Sequence, residues 1–249
     1  MRKFEGHQRK RCLAAGALAL ATAGVAACGH GGTKPHAHAP RPSDTTAAVD
    51  ATIAHASERP GKSLNLTFDD GPSPEWTPQI LALLKQNRIQ ATFCMIGPQA
   101  KAHPDLVKQV VAEGHRLCDH TVHHDESMDK KSEGYQSAEI SDAQKMIEDA
   151  SGGTAPLYFR APGGAFDPYN RHVAADHGLR PLGWNADSKD YTRPGVAAIV
   201  KTVEDEVSSS SPTVLFHDGG GDRSQTLAAL EQLLPWMKQQ GYGFGFPQH

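Results

Sequence analysis

Seven short apolar or alternating segments, separated by stretches with helical spacing, constrain this 249-residue chain more than any other feature. The first, Leu64 to Asp69, alternates with period two and stops at Gly71-Pro72. Six more follow: Ala91 to Ile96, His115 to Asp119, Leu157 to Arg160, Leu179 to Ala186, Thr213 to His217 and Tyr242 to Phe246. Between them, Trp76 to Gln86, Leu106 to Ala112, Tyr135 to Ala150, Val196 to Val207 and Gln225 to Gln240 carry the spacing of amphipathic helices. Strands alternating with helices predict βα units around a parallel sheet. About seven strands over residues 63–249 suit a distorted or incomplete (β/α) barrel in a single domain better than an open sheet. No Gly-x-Gly-x-x-Gly follows the first strand, so a dinucleotide-binding fold lacks its fingerprint.

The chain ahead of that domain reads as a targeting segment and a tether. Arg2, Lys3, Arg9, Lys10 and Arg11 precede an uncharged, Ala- and Leu-rich run from Cys12 to Ala27. That run is shorter than the ~20 residues a membrane-spanning helix needs, so residues 1–27 read as a secretory signal. The junction Val25-Ala26-Ala27-Cys28 resembles a bacterial lipobox, which makes Cys28 the expected lipidation site and the outer face of the cell membrane the expected location. Glycines and prolines break every periodicity in residues 28–62, which reads as a flexible tether, with a short helix possible over Ala47 to Ala56. Its histidines, His30, His36 and His38, read as solvated rather than metal-binding. Removing residues 1–27 takes away five cations and one acid and moves the formal net charge from −3 to −7. An acidic exported domain excludes nucleic acid held by bulk charge, and a monomer is expected. Cys94 and Cys118 remain in the domain. Both fall in expected strands and read as buried thiols, because disulfides between neighbouring parallel strands demand unusual geometry.

The polar residues gather where the strands end, the edge at which α/β folds place their function. Asp69-Asp70 sets two carboxylates side by side, which repel unless one is protonated or a cation lies between them. Asp70 shares a site with Asp69 only if Gly71-Pro72 turns the backbone. His120 and His124, four apart, share one face of a helical turn, and His123 competes for the same role. Asp70, His120 and His124 together would leave an open coordination position, as catalytic zinc requires, and Fe(II) accepts the same ligands. Arg160 ends a strand and can pair with a carboxylate beside the close-approach glycines of Ala161-Pro162-Gly163-Gly164. His217 closes a strand into Gly219-Gly220-Gly221, free to titrate.

In combination these residues resemble the polysaccharide deacetylases of carbohydrate esterase family four, the NodB-like domain, from about Leu64 to Phe246. The matching segments are Thr67-Phe68-Asp69-Asp70-Gly71-Pro72, His120-Thr121-Val122-His123-His124, Arg160-Ala161-Pro162-Gly163-Gly164, Asp187-Ser188-Lys189-Asp190-Tyr191 and Leu215-Phe216-His217. The fourth departs from its motif at Tyr191, where the family carries Trp. The third carries Gly163 where the family usually has a large aromatic residue, so only a backbone role transfers. The resemblance implies one divalent metal ion, most often zinc, held by Asp70, His120 and His124. It implies Asp69 as general base and His217 as general acid. Arg160 would orient Asp69, and Asp190 would hold His217. Leu215 would line the acetyl pocket, the Gly163 backbone N–H would stabilise the oxyanion, and Tyr191 would flank the substrate. The implied activity is removal of N-acetyl groups from an amino-sugar polymer, peptidoglycan or a chitin-like oligosaccharide, with release of acetate. An O-acetyl esterase acting on acetylated xylan and a non-catalytic sugar- or metal-binding lipoprotein are the alternatives.

Overall fold

The alternation in the first strand, β1 (Ser63–Asp69), suggests one buried face and one wet face, yet every residue in it is buried. Leu64, Leu66 and Phe68 pack outward into the main hydrophobic core with the helices. Asn65, Thr67 and Asp69 point the other way and are paired rather than solvated. Asn65 donates to Thr213 Oγ1 at 3.1 Å, and Thr67 donates to the Val214 carbonyl at 2.8 Å. A polar inner face against an apolar outer one is what a curled, helix-covered sheet asks of its strands.

The structure, a computed structural model, describes residues 49–207 and 213–249. The signal segment, Cys28 and the tether up to residue 48 lie outside those residues. Seven further strands follow β1: β2 (Thr92–Met95), β3 (Arg116–Asp119), β4 (Tyr158–Phe159), β5 (Arg180–Pro181), β6 (Ala186–Asp187), β7 (Thr213–His217) and β8 (Gly243–Phe244). The helices are α1 (Thr77–Asn87), α2 (Gly97–Ala102), α3 (Pro104–Ala112), α4 (Glu133–Ser151), α5 (Pro168–Asp176), α6 (Val196–Val207) and α7 (Ser224–Gln239). The pairings between these strands are all parallel, in the order β5-β4-β3-β2-β1-β7-β6, with β8 beside the start of β1. The outermost strands β5 and β6 are joined only by residues 182–185, a link of roughly 17 Å at full extension. The sheet therefore curls until its two edges nearly meet, the incomplete barrel expected. On its outer face Phe68 stacks on its register partners Phe93 and Phe216, with ring centroids 5.1 and 5.8 Å apart.

Local sequence explains most boundaries. α4 begins where Ser132 accepts the Tyr135 N–H and ends at Gly152, φ 84°. The two helices absent from the periodicity reading, α2 and α5, bury small or polar residues: Gly97 and Ala100 in one, Asn170 and Ala174 in the other. At Gly97 a Cβ would stand 2.9 Å from Ala143 Cα, so the close packing of α2 on α4 requires glycine there. α5 is announced by its cap instead, Asp167 and Asn170 bonding reciprocally.

Three expectations are corrected. The single strand expected over Leu179 to Ala186 is two, β5 and β6, on opposite edges. The tether expected to reach residue 62 is already packed at Ala54, which pairs with Leu182 and is 4% exposed, and no helix forms over residues 49–56. Ala54 N–H donates to Pro181 O at 2.8 Å and Gly183 N–H donates to Ala54 O at 2.9 Å, covering peptide groups that the two-residue strand β5 leaves open. Cys94 and Cys118 are bonded to each other rather than free. They are register partners on β2 and β3, with Cα atoms 4.1 Å apart and both side chains on the inner face.

Candidate active site

The carboxyl ends of the strands open into a cleft of about 390 Å³ that collects Asp69, Asp70, His120, His124, Gly163, Tyr191, Leu215 and His217. β1 ends at Asp69, and the next residue, Asp70, takes φ 74°. That left-handed turn swings the second carboxylate to the side occupied by the first, as the sequence required. His120 follows the end of β3. His124 reaches the site from a loop and not from a helical turn: residues 120–124 form no helix, and Thr121 (φ 68°) and His124 (φ 52°) bend the chain back. The expectation of convergence is met by a different backbone path.

Asp70, His120 and His124 offer ligand atoms that all lie within 4.8 Å of one another. His124 Nε2 is 3.2 Å and His120 Nε2 3.6 Å from Asp70 Oδ1. A tetrahedral ion with ligand bonds of about 2.0–2.2 Å holds its ligand atoms roughly 3.4 Å apart, so the spacing fits. Two further observations agree. Asp70 Oδ1 is buried without a hydrogen-bond partner, the condition of an atom awaiting a cation. His120 Nδ1 lies 2.7 Å from the Arg160 carbonyl and must donate to it, which turns the Nε2 lone pair toward Asp70. Burial lowers the His120 pKa to about 3, so the ring is neutral and able to ligate. His123 is not part of the cluster. Its Nδ1 is 2.5 Å from Glu139 Oε1.

Asp69 and His217 flank this trio as register partners on β1 and β7. Arg160, fully buried, donates from Nη1 to Asp69 Oδ1 at 2.6 Å and to Thr67 Oγ1 at 2.9 Å. Its other donors are fixed by the Leu182 and Gly183 carbonyls. Burial raises the Asp69 carboxyl above its ordinary value, and Arg160 and His217 pull it partly back. Arg160 thus offsets the cost of burial without reversing it. His217 Nδ1 is 2.7 Å from Asp190 Oδ1, leaving Nε2 for the cleft. Burial opposes the imidazolium, yet Asp190, with Asp69 and Asp70, pushes His217 up to about 9. Asp190 is held in turn by Thr226 Oγ1 at 2.8 Å and the His217 N–H at 2.9 Å.

Around these groups Leu215 is nearly buried, and Tyr191, 45% exposed, sets its ring edge-on to His217 with centroids 5.2 Å apart. Gly163 takes φ 58°, and a Cβ there would press on the Glu126 side chain at 3.3 Å. Glu126, Trp184 and Lys189 also line the cleft. Sequence reasoning missed the first two: Trp184 lay inside a segment read as strand, and Glu126 carries no spacing signal. Asp218, also missed, is buried beside the site. It accepts from Thr77 Oγ1 at 2.5 Å, and burial with Asp70 and Asp69 nearby raises it to about 7.

Residues 56–182 match the family described as polysaccharide deacetylase. The peptidoglycan-N-acetylglucosamine deacetylase of Bacillus cereus is 43% identical over 188 residues, 74% of this chain and 85% of that protein. The chitooligosaccharide deacetylase of Sinorhizobium fredii is 35% identical over 192 residues, 72% of this chain and 87% of that protein. Among solved structures, a peptidoglycan N-acetylglucosamine deacetylase in complex with a naphthalenyl N-oxidanyl-benzamide superposes with a TM-score of 0.71 at 28% identity, covering 78% of this chain and 89% of that one. With a curled parallel sheet, a cleft at its carboxyl edge and matches of this extent, the chain belongs to the polysaccharide deacetylase family.

Proposed function

We propose that the protein is a metal-dependent N-deacetylase that removes acetyl groups from an exported amino-sugar polymer, and that its ion is zinc. The observation that carries this is the pairing of Asp69 and His217 across β1 and β7, on either side of the Asp70–His120–His124 cluster. The relative at 43% identity supports peptidoglycan as substrate, and the one at 35% supports chitin-like oligosaccharides.

When bound, a divalent ion supplies a Lewis acid that polarises the acetamide carbonyl and brings the pKa of water toward about 7. Asp69, oriented by Arg160, takes the proton of the attacking water. The Gly163 backbone N–H stabilises the charge developing on the carbonyl oxygen, a contribution of roughly 3 kcal/mol per donor. Leu215 receives the acetyl methyl group. As the C–N bond breaks, His217 delivers its proton from Nε2 to the nitrogen, while Asp190 holds Nδ1 and favours the charged ring before transfer. Acetate and a free amino sugar leave. Tyr191 and Trp184 give the sugar two aromatic faces to pack against.

Export follows from residues 1–27, and lipidation at Cys28 would hold the enzyme on the outer side of the membrane. Among the described residues no helix is long and apolar enough to cross one. The test of activity is acetate release from chitooligosaccharide, peptidoglycan and acetylated xylan, each in chelator and after added zinc. Zinc-dependent release from the N-acetylated substrates is expected. Release from xylan alone would favour the O-acetyl esterase, and none from any would favour a binding protein.

A further inference from the structure

The loop that carries both histidine ligands holds an unusual backbone. Thr121 and His124 sit at φ 68° and 52°, angles that non-glycine residues keep only when their surroundings fix them. Each N–H from residue 120 to 124 has a partner. His120 N–H donates to the Met95 carbonyl at 2.9 Å, Thr121 N–H to Asp119 Oδ1 at 2.7 Å, and His124 N–H to Thr121 Oγ1 at 3.1 Å. The remaining two, Val122 and His123, both donate to one atom, Glu139 Oε2, at 3.1 and 2.8 Å. Glu139 lies in α4 and is 3% exposed. A buried carboxylate from another element thus grips the loop at the two residues just before His124.

We propose that Glu139 is a positioning residue for the metal: by tying residues 122 and 123 to α4, it sets where His124 presents Nε2 to Asp70 and His120. This rests on reading Asp70, His120 and His124 as the ligands. Without the carboxylate, two partly buried backbone N–H groups lose their shared acceptor and the loop can relax away from its left-handed angles. His124 would then have to be reordered each time the ion binds, and affinity would fall although no ligand is removed.

The test is zinc affinity, by competition with a chelating dye, for the parent, Glu139→Ala, Glu139→Gln, Glu139→Asp and His124→Ala, with each melting temperature recorded in excess chelator. Glu139→Ala should weaken zinc by roughly 10–100-fold, the range found for the outer partners of metal ligands. Glu139→Gln keeps a carbonyl oxygen at the same reach and should recover most of that loss. Glu139→Asp, which withdraws the carboxylate by one methylene, should weaken zinc and serves where the alanine variant does not fold. A residue that only stabilises the fold would lower the melting temperature in chelator and leave zinc affinity unchanged, and that result in a folded Ala or Asp variant overturns the proposal. If the parent binds zinc and His124→Ala does not, unchanged Glu139 variants defeat this proposal alone. A parent that binds no zinc defeats the ligand reading as well.

Discussion

The two halves of the cleft are held in place by different means. Asp69 and His217 stand at the last positions of adjacent paired strands, so their separation follows from the ladder itself, about 4.8 Å between strands. Asp70 stands just beyond β1 with its N–H on the Cys94 carbonyl, while His120 and His124 follow β3 on a loop whose left-handed residues, Thr121 and His124, are held by side-chain hydrogen bonds. The sheet sets the distance between the proposed base and acid, while turns and a loop gripped from behind set the proposed metal ligands. The first half should resist distant substitutions, and the second should yield to them. Chemistry and ion binding should therefore be separable by mutation.

The largest effect is expected from the loop half. His120→Ala or His124→Ala removes a ligand and should cost both the bound ion and nearly all acetate release, measured as metal content and turnover of one preparation. His123→Ala should keep the ion, because its ring faces Glu139 and not the cluster. Loss of the ion there with retention in His124→Ala would reverse the ligand assignment.

On the sheet half, His217→Ala should keep the ion and lower kcat by about 10²–10⁴-fold, the usual weight of general acid–base catalysis. Near-normal turnover in the metal-loaded variant would remove His217 from the mechanism. A smaller effect is expected at Asp190. His217 must be protonated to donate, so kcat/KM should fall as pH rises through about 9. Asp190→Asn removes the charge that holds it there and should move this basic limb down toward the ordinary histidine value of about 6.5. The acidic limb reports ionisation of Asp69, which burial shifts upward, together with any proton shared across the site. A basic limb unmoved in Asp190→Asn would contradict the pairing. The smallest effect on chemistry is expected at Cys28. Cys28→Ala should leave the protein unprocessed or release it from the membrane fraction, with kcat/KM of the purified enzyme unchanged. A fully processed variant that stays in that fraction would count against lipidation.

What could be read in the sequence divides along the same line. Strand-borne features were visible: β1 ends at Asp69 and β7 at His217, where the sequence reading ends them, and those are the residues proposed as base and acid. Features set by tertiary contact were not. His120 and His124 have helical spacing, but the chain between them is a loop gripped by Glu139, fifteen residues further on. Leu179 to Ala186 reads as one strand although Pro181, Gly183 and Asn185 interrupt its apolar residues. Of these, Gly183 is the one that packing requires, since a Cβ there would collide with His55. The disulfide depends on register between parallel strands. Cys94 and Cys118 each stand one residue before the last residue of their strands, a symmetry that points to their pairing once those ends are known.

The division of labour is tested most directly at the two adjacent carboxylates. Asp69→Asn and Asp70→Asn are nearly isosteric changes at consecutive positions, and metal content and acetate release can be measured on the same sample of each. Asp69→Asn should retain the ion while kcat falls by about 10²–10⁴-fold, because Arg160 still orients the side chain but no base remains. Asp70→Asn should lose ion and activity together, and excess zinc should restore part of both. Equal loss of metal in the two variants, or full activity in metal-loaded Asp69→Asn, would contradict the assignment of one carboxylate to the proton and the other to the metal.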